Sequence, residues 1–203
     1  MPNQIFFQLI AIRREQRTLE YKQSMGWDDR TFRMRIVKSV LAMSNIRDGG
    51  DIIIGMEKQA DDTYIPRGME QRHLDSYIAD DIGRVVAEYA DPYARFDLRK
   101  EEDELGKSYV WIKIYEFEET PVICRKPYGD ILSGGKIYIR TRRIPESAEV
   151  PSSAEMREII TMATERKLRE FYQLAKAAGI QLPGPTIPTD AQAFAEQLRG
   201  VFE

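Results

Sequence analysis

The stretch Asp48-Gly49-Gly50-Asp51-Ile52-Ile53-Ile54-Gly55-Met56-Glu57 constrains the fold of this chain more than any other. Asp-Gly-Gly cannot continue a helix cheaply, and its glycines accept the positive φ of a sharp reversal. Ile52 to Ile54 is apolar and β-branched on both faces of the pleat, the pattern of a strand covered on both sides. The stretch is therefore expected to be an interior strand. Gly55 leaves room for another backbone or a ligand, and Glu57 follows where the strand runs out. A carboxylate there has two readings, chemistry at a strand end or a solvated terminus.

The rest of the chain is arranged around that strand. An opening helix is expected within residues 1–14, packing Ile5, Phe6, Leu9 and Ile12. Leu19 to Lys22 has strand character, with Glu20 and Lys22 on one face and Leu19 and Tyr21 on the other. Glu15 and Glu20 stand at an odd spacing, so they converge only if the chain turns at Gln16 to Thr18. Asp28 and Asp29 are candidate caps for a helix from Arg30 to Asn45, whose apolar positions recur at helical spacing. Asp61 to Arg67 reads as a polar turn, and Glu70 to Ala90 as a second amphipathic helix stopped by Asp91-Pro92.

Alternation then takes over. Tyr93 to Lys100, Ser108 to Phe117, Val122 to Arg125 and Lys136 to Arg142 are expected to be strands of a meander. Strand and helix alternate first and strands follow, which makes the fold class α+β, a mixed β-sheet with flanking helices. Ser152 and Ser153 open a third helix through Ala178. Its first part closes a domain over 15–160, and residues 161–181 continue it. A Pro-rich linker and a short terminal helix are expected over 182–203.

Composition removes several functional classes. The formal charge is -3 and the pI near 5.5, so any nucleic-acid contact must come from a local patch and not from the overall field. With one cysteine, Cys124, and one histidine, His73, no disulfide framework and no zinc site are expected. No phosphate-binding glycine loop of either common type is present, so no nucleotide cofactor is expected. No apolar run approaches the roughly 20 residues of a membrane span, and the opening residues lack a cleavage site, which predicts a cytoplasmic protein without membrane contact.

Two groups of residues carry chemistry. Glu15, Glu20 and Glu57 with Lys22 form the sharper one. Mg2+ and Mn2+ take oxygen ligands and keep waters, so a few carboxylates plus a phosphate suffice for phosphodiester hydrolysis, with a lysine offsetting phosphate charge. Solvated surface charges are the competing reading. The second group is Arg140, Arg142 and Arg143 with Lys136, Tyr138, Arg125 and Lys126. Guanidinium groups suit phosphates and tyrosine stacks on bases, whereas a strand edge protected by charge explains the same residues without a ligand.

Leu19-Glu20-Tyr21-Lys22, the helix end Leu41-Ala42-Met43-Ser44-Asn45, Gly49 to Glu57 and the late Tyr138-Ile139-Arg140 together resemble the Schlafen AlbA-like domain, a family associated with nucleic-acid binding. The resemblance runs from about Glu15 to Ile160 and covers four motifs in order. It implies a nucleic-acid partner, DNA or RNA. Nuclease members imply more: a Mg2+ or Mn2+ site on Glu15, Glu20 and Glu57, assisted by Lys22, cutting structured RNA. Here the third position is Glu where those nucleases carry Asp, and Tyr21 stands where the family has Phe. Those nucleases hold two lobes in one chain, so a single lobe implies a homodimer. Three functions therefore stand at this stage: a metal-dependent endonuclease, a non-catalytic DNA- or RNA-binding regulator, and a protein-assembly module.

Overall fold

The computed structural model of the chain describes residues 3–180. In chain order its first elements are α1 (Gln4–Ile12), β1 (Leu19–Lys22), α2 (Arg30–Ser44), β2 (Gly50–Ile54), β3 (Met56–Lys58), β4 (Tyr64–Pro66), α3 (Gln71–Asp75) and α4 (Ala79–Tyr89). There follow β5 (Ala90–Asp91), β6 (Phe96–Glu102), β7 (Ser108–Ile114), β8 (Ile123–Cys124), β9 (Tyr138–Arg140), β10 (Ser147–Glu149) and α5 (Ser153–Ala177). The fold is α+β, as expected. Two compact units divide the chain at Thr164 and Glu165. Among the described residues, the first holds every strand and the second contains the remainder of α5 and its end at Gly179, where φ is 71°. The linker and helix expected over 182–203 lie outside the described residues.

The central sheet has the order β1-β2-β7-β6. β1 runs parallel to β2, with Glu20 opposite Ile52, and the other two pairings are antiparallel. The sheet is mixed because α2 carries the chain back between β1 and β2, whereas β6 and β7 are joined by the short turn after Glu102. Both faces are covered, which is what the continuous apolar run of β2 demands. Ile52 and Ile54 pack with Ile36, Val40 and Leu41 of α2 and Ile82 and Val86 of α4, while Ile53 packs with Phe6, Tyr21 and Trp111 on the opposite face. All three isoleucines are fully buried, each stabilising by about 1.5–3 kcal/mol relative to exposure.

α1 covers the second face through Phe6 and Ile10, an i, i+4 pair; Ile5 stays 59% exposed and Ile12 is also exposed, so the packed stripe is rotated from the one expected. Asp29 caps α2, its carboxylate accepting the Phe32 N–H at 2.7 Å. The turn into β2 needs a glycine at 49: φ is 68°, and a Cβ there would meet the Ile114 carbonyl oxygen at 2.1 Å.

Three local expectations are corrected. The strand does not run through to Glu57, because Gly55 at φ 116° breaks it and starts a separate hairpin, β3 with β4. The residues read as a polar turn, Asp61 to Arg67, therefore contain a strand, with Pro66 tolerated on an edge that needs no further donor. The helix expected over Glu70 to Ala90 is two helices. Ser76 interrupts it by donating to the His73 carbonyl and accepting the Trp27 N–H, while the buried Tyr77 donates to the Met25 carbonyl.

One side chain fastens the end of α2 to the later strands. Asn45 is fully buried; its Nδ2 donates to the carbonyls of Leu41, Val122 and Tyr138 at 3.1, 2.8 and 2.9 Å, and its Oδ1 accepts the Val122 N–H at 2.8 Å. Replacement by alanine leaves a buried donor and buried acceptors unpaired, each costing about 1–3 kcal/mol. Asn45→Ala is expected to lower unfolding free energy by about 3 kcal/mol or more, read from urea denaturation midpoints at unchanged m-value.

Candidate functional site

β1 ends the sheet, and the turn on which convergence of Glu15 and Glu20 depends lies just before it. Gln16 and Leu19 exchange backbone hydrogen bonds at 2.9 and 3.1 Å, which reverses the chain and returns Glu15 to the strand. The Glu15 carboxylate then accepts the Tyr21 N–H at 3.0 Å. Burial raises the Glu15 pKa; the Tyr21 N–H and Lys22 oppose that shift, and nearby Glu20 reinforces it. Tyr64 stands beside Glu15, and burial together with that carboxylate pushes the phenol up to about 12.

Glu20 itself is buried, and both of its oxygens are engaged. Lys22 Nζ lies 2.5 Å from Oε1 and Arg140 Nη1 lies 3.1 Å from Oε2. Arg140 is 2% exposed and spends its remaining donors on the turn, with Nε donating to the Arg17 carbonyl at 3.3 Å and Nη2 to the Gln16 carbonyl at 3.1 Å. A guanidinium presents five donors in a fixed fork, so one side chain binds the carboxylate and the turn together. Removing one partner from such a buried pair costs about 3–5 kcal/mol.

The structure therefore gathers Glu15, Glu20, Lys22 and Arg140 and leaves Glu57 elsewhere. Glu57 is on β3, half exposed and paired with Arg67 at 2.6 Å; it lines a depression with Ser24 and Gly68, while Glu15 lines another with Arg14, Lys58 and Glu146. Among the described residues no three His, Cys, Asp or Glu side chains gather as a metal-ligand set. The three-carboxylate set for Mg2+ or Mn2+ does not fit this arrangement: the break at Gly55 turns Glu57 into a hairpin, and Glu20 is held by two cations.

Two members of the basic group are corrected in the same way. Arg140 is a buried brace and not a phosphate contact. Tyr138 is also buried; its hydroxyl accepts the Ser133 N–H at 2.7 Å and Lys38 Nζ lies 5.2 Å from its ring centre, so that ring offers no stacking face. The other five, Arg125, Lys126, Lys136, Arg142 and Arg143, are exposed on the small β8, β9 and β10 region. Cys124 N donates to the Lys136 carbonyl there, and β9 pairs with β10. Lys126 meets Glu88 at 2.7 Å, Lys136 meets Glu149 at 3.3 Å and Arg142 meets Glu158 at 3.0 Å. His73 and Cys124 both have partners within the fold: His73 Nδ1 shares a hydrogen with Ser24 Oγ at 2.9 Å, and the buried Cys124 thiol reaches the Lys126 carbonyl.

Two participants carried no sequence signal. Arg17, in the turn, donates through Nη1 and Nη2 to the two oxygens of Glu158 at 2.9 and 2.7 Å and through Nε to the Arg140 carbonyl at 2.9 Å. Nothing in the spacing of α5 distinguishes Glu158 from its other surface carboxylates. Burial would raise the Glu158 pKa, but hydrogen bonds from Arg17 and Arg142 outweigh it and hold the carboxyl below its usual range. A lowered pKa contributes stability above the ordinary carboxylate value that is lost as pH falls through the lowered one. Glu158→Gln is accordingly expected to cost about 2 kcal/mol at neutral pH, with the difference from the wild type closing in acid, measured by denaturation across pH.

The family model described as Schlafen, AlbA_2 matches residues 15–148, which include the turn, β1, Asn45, the Gly49-Gly50 reversal and Arg140. No curated protein matches the chain. Among solved structures, the DIP2311 protein from Corynebacterium diphtheriae is 15% identical at a TM-score of 0.45, over 77% of this chain and 29% of that one. The chain thus spans under a third of that protein's length. The N-terminal domain of a RecG-related protein from Nitrosomonas europaea is 21% identical at a TM-score of 0.42, over 73% of this chain and 92% of that one. Among the described residues no helix is long and apolar enough to cross a membrane. With the matched segment spanning from Glu15 through the buried Arg140 and on to β10, the chain belongs to the Schlafen AlbA_2 family.

Proposed function

We propose that the chain is a nucleic-acid-binding module that holds the phosphate backbone without cutting it. One observation carries the reading. Residues 125–143 hold six cations, Arg125, Lys126, Lys136, Arg140, Arg142 and Arg143, against one carboxylate, Asp130, in a chain whose net charge is -3. Folding buries Arg140 alone among those six and leaves five at the surface of the β8, β9 and β10 region. A local excess of that kind on an acidic protein serves a polyanion better than it serves solubility. Exposed ion pairs such as those of Lys126 and Lys136 are worth at most about 1 kcal/mol, so they yield readily to phosphate.

The buried charges support binding over hydrolysis. Glu20, Lys22 and Arg140 satisfy one another and brace the fold on which the exposed cations are mounted, while Glu57 stands apart in an exposed pair with Arg67. Phosphate contacts fix position and affinity while base edges carry sequence, so a surface built from Lys and Arg favours a wide range of DNA or RNA sequences. Homodimerisation, expected from the single lobe, belongs to the same reading and would double the cationic surface.

Titration of a fluorescent oligonucleotide across salt concentrations tests the reading. Affinity is expected to fall steeply with salt, and Arg142→Gln with Arg143→Gln to flatten the logarithmic slope by about 2, because each lost contact releases roughly one counterion fewer. The recovered oligonucleotide is expected to be intact after incubation with Mn2+. Binding that ignores salt, a double variant matching the wild type, or cleavage abolished by Glu20→Gln would each contradict it.

A further inference from the structure

Arg17 and Arg142 come from distant parts of the chain and converge on one carboxylate. Arg17 grips Glu158 with both terminal nitrogens at 2.9 and 2.7 Å, and Arg142 reaches the same carboxylate with Nη2 at 3.0 Å. With Arg142 Nε also reaching it at 3.4 Å, four N–H groups meet two oxygens, a geometry with which paired arginines take a phosphate. The Arg17 fork does not depend on Glu158 for its aim. Its Nε donates to the Arg140 carbonyl at 2.9 Å, Arg140 Nε returns a bond to the Arg17 carbonyl, and Arg140 is locked by Glu20.

The occupant differs from its hosts. Glu158 is part of α5, whereas Arg17 and Arg142 are on the β1 turn and the β9–β10 connection. Arg142 keeps 61% of its side chain exposed and Arg17 keeps 25%, so solvent reaches the guanidinium pair while the carboxylate is 12% exposed. Arg143, also exposed, is next in the chain.

We infer that Arg17 and Arg142 form a phosphate-binding site that Glu158 occupies in the free protein, so that a phosphate of the nucleic-acid backbone binds by displacing this carboxylate from α5. The site deepens the phosphate-binding reading and rests on it for its natural ligand. Glu158 is then an internal competitor: it holds the first turns of α5 against the turn before β1, and it sets a threshold that a single weak phosphate does not cross. Neighbouring phosphates on a polymer cross it, because Arg143 and the other exposed cations retain the chain while one phosphate enters. The exchange replaces one anion by another and leaves no arginine unpaired, and its cost is the release of the Glu158 carboxylate to solvent.

Inorganic pyrophosphate and a fluorescent oligonucleotide, titrated separately into the wild type, Glu158→Gln and Arg17→Gln/Glu158→Gln, test the inference. Glu158→Gln is expected to bind pyrophosphate about tenfold tighter than the wild type, the gain of roughly one charge-assisted contact, and the double variant to lose that gain. If Glu158→Gln proves too unstable to titrate, Glu158→Asp, whose carboxylate is one methylene shorter, is expected to show a smaller gain in the same direction. Pyrophosphate affinity in Glu158→Gln or Glu158→Asp no higher than in the wild type, or a gain that survives loss of Arg17, would overturn the site. Absence of oligonucleotide binding by every protein, with the pyrophosphate gain intact, would leave the site standing and overturn the nucleic-acid reading instead.

Discussion

The buried contact between Arg140 and Glu20 is the constraint on which the rest of the site depends. It joins β9 to β1 across 120 positions of chain, and its spare donors close the Gln16 and Arg17 carbonyls into the same network. Water cannot substitute there, because the guanidinium is 2% exposed and the carboxylate has Lys22 on its other oxygen. Such a pair need not add stability compared with a well-packed apolar one. What it adds here is placement: the turn that carries Arg17 and the strand that delivers Arg142 are held to one geometry.

That placement divides the charged residues into two populations. Those in contact with the sheet, Glu20, Lys22, Arg140 and Asp51 with Lys113, neutralise one another and carry structure. Those on the β8, β9 and β10 region face solvent, and their partners are single carboxylates from α4, β10 and α5. Charges of the first kind are screened little by salt, while the second kind interact through water of high dielectric and are weakened by salt. In the proposed function a polyanion meets the second population, and the first keeps it in register.

Much of the fold was legible in the residues. The three isoleucines of β2 required cover on both faces, and α1, α2 and α4 supply it; Asp29 announced the start of α2, and Gly49 the reversal into β2. The return of Glu15 to β1 was left open by its odd spacing from Glu20, which allowed convergence only if the chain turned at Gln16 to Thr18. Less was legible wherever a single local choice changed direction. Gly55 reads equally as a strand residue and as a break, and the break carried Glu57 away from Glu20. Ser76 reads as a tolerable helix residue until its hydroxyl finds the Trp27 N–H. Arg140 stood in a basic run like its neighbours; it ends β9, whose three residues are all buried, while Arg142 and Arg143 lie past the end of the strand and are exposed. Arg17 and Glu158 meet through tertiary structure with 141 positions between them, a distance over which no spacing rule operates.

The division between buried brace and exposed binding surface is tested most directly by arginine side-chain NMR. On adding a short oligonucleotide, the Nε–H signals of Arg142 and Arg143 are expected to shift with saturation while that of Arg140 stays in place and remains slow to exchange with solvent. Movement of the Arg140 signal together with those two, or an Arg140 proton that exchanges as fast as theirs in the free protein, would contradict the central claim.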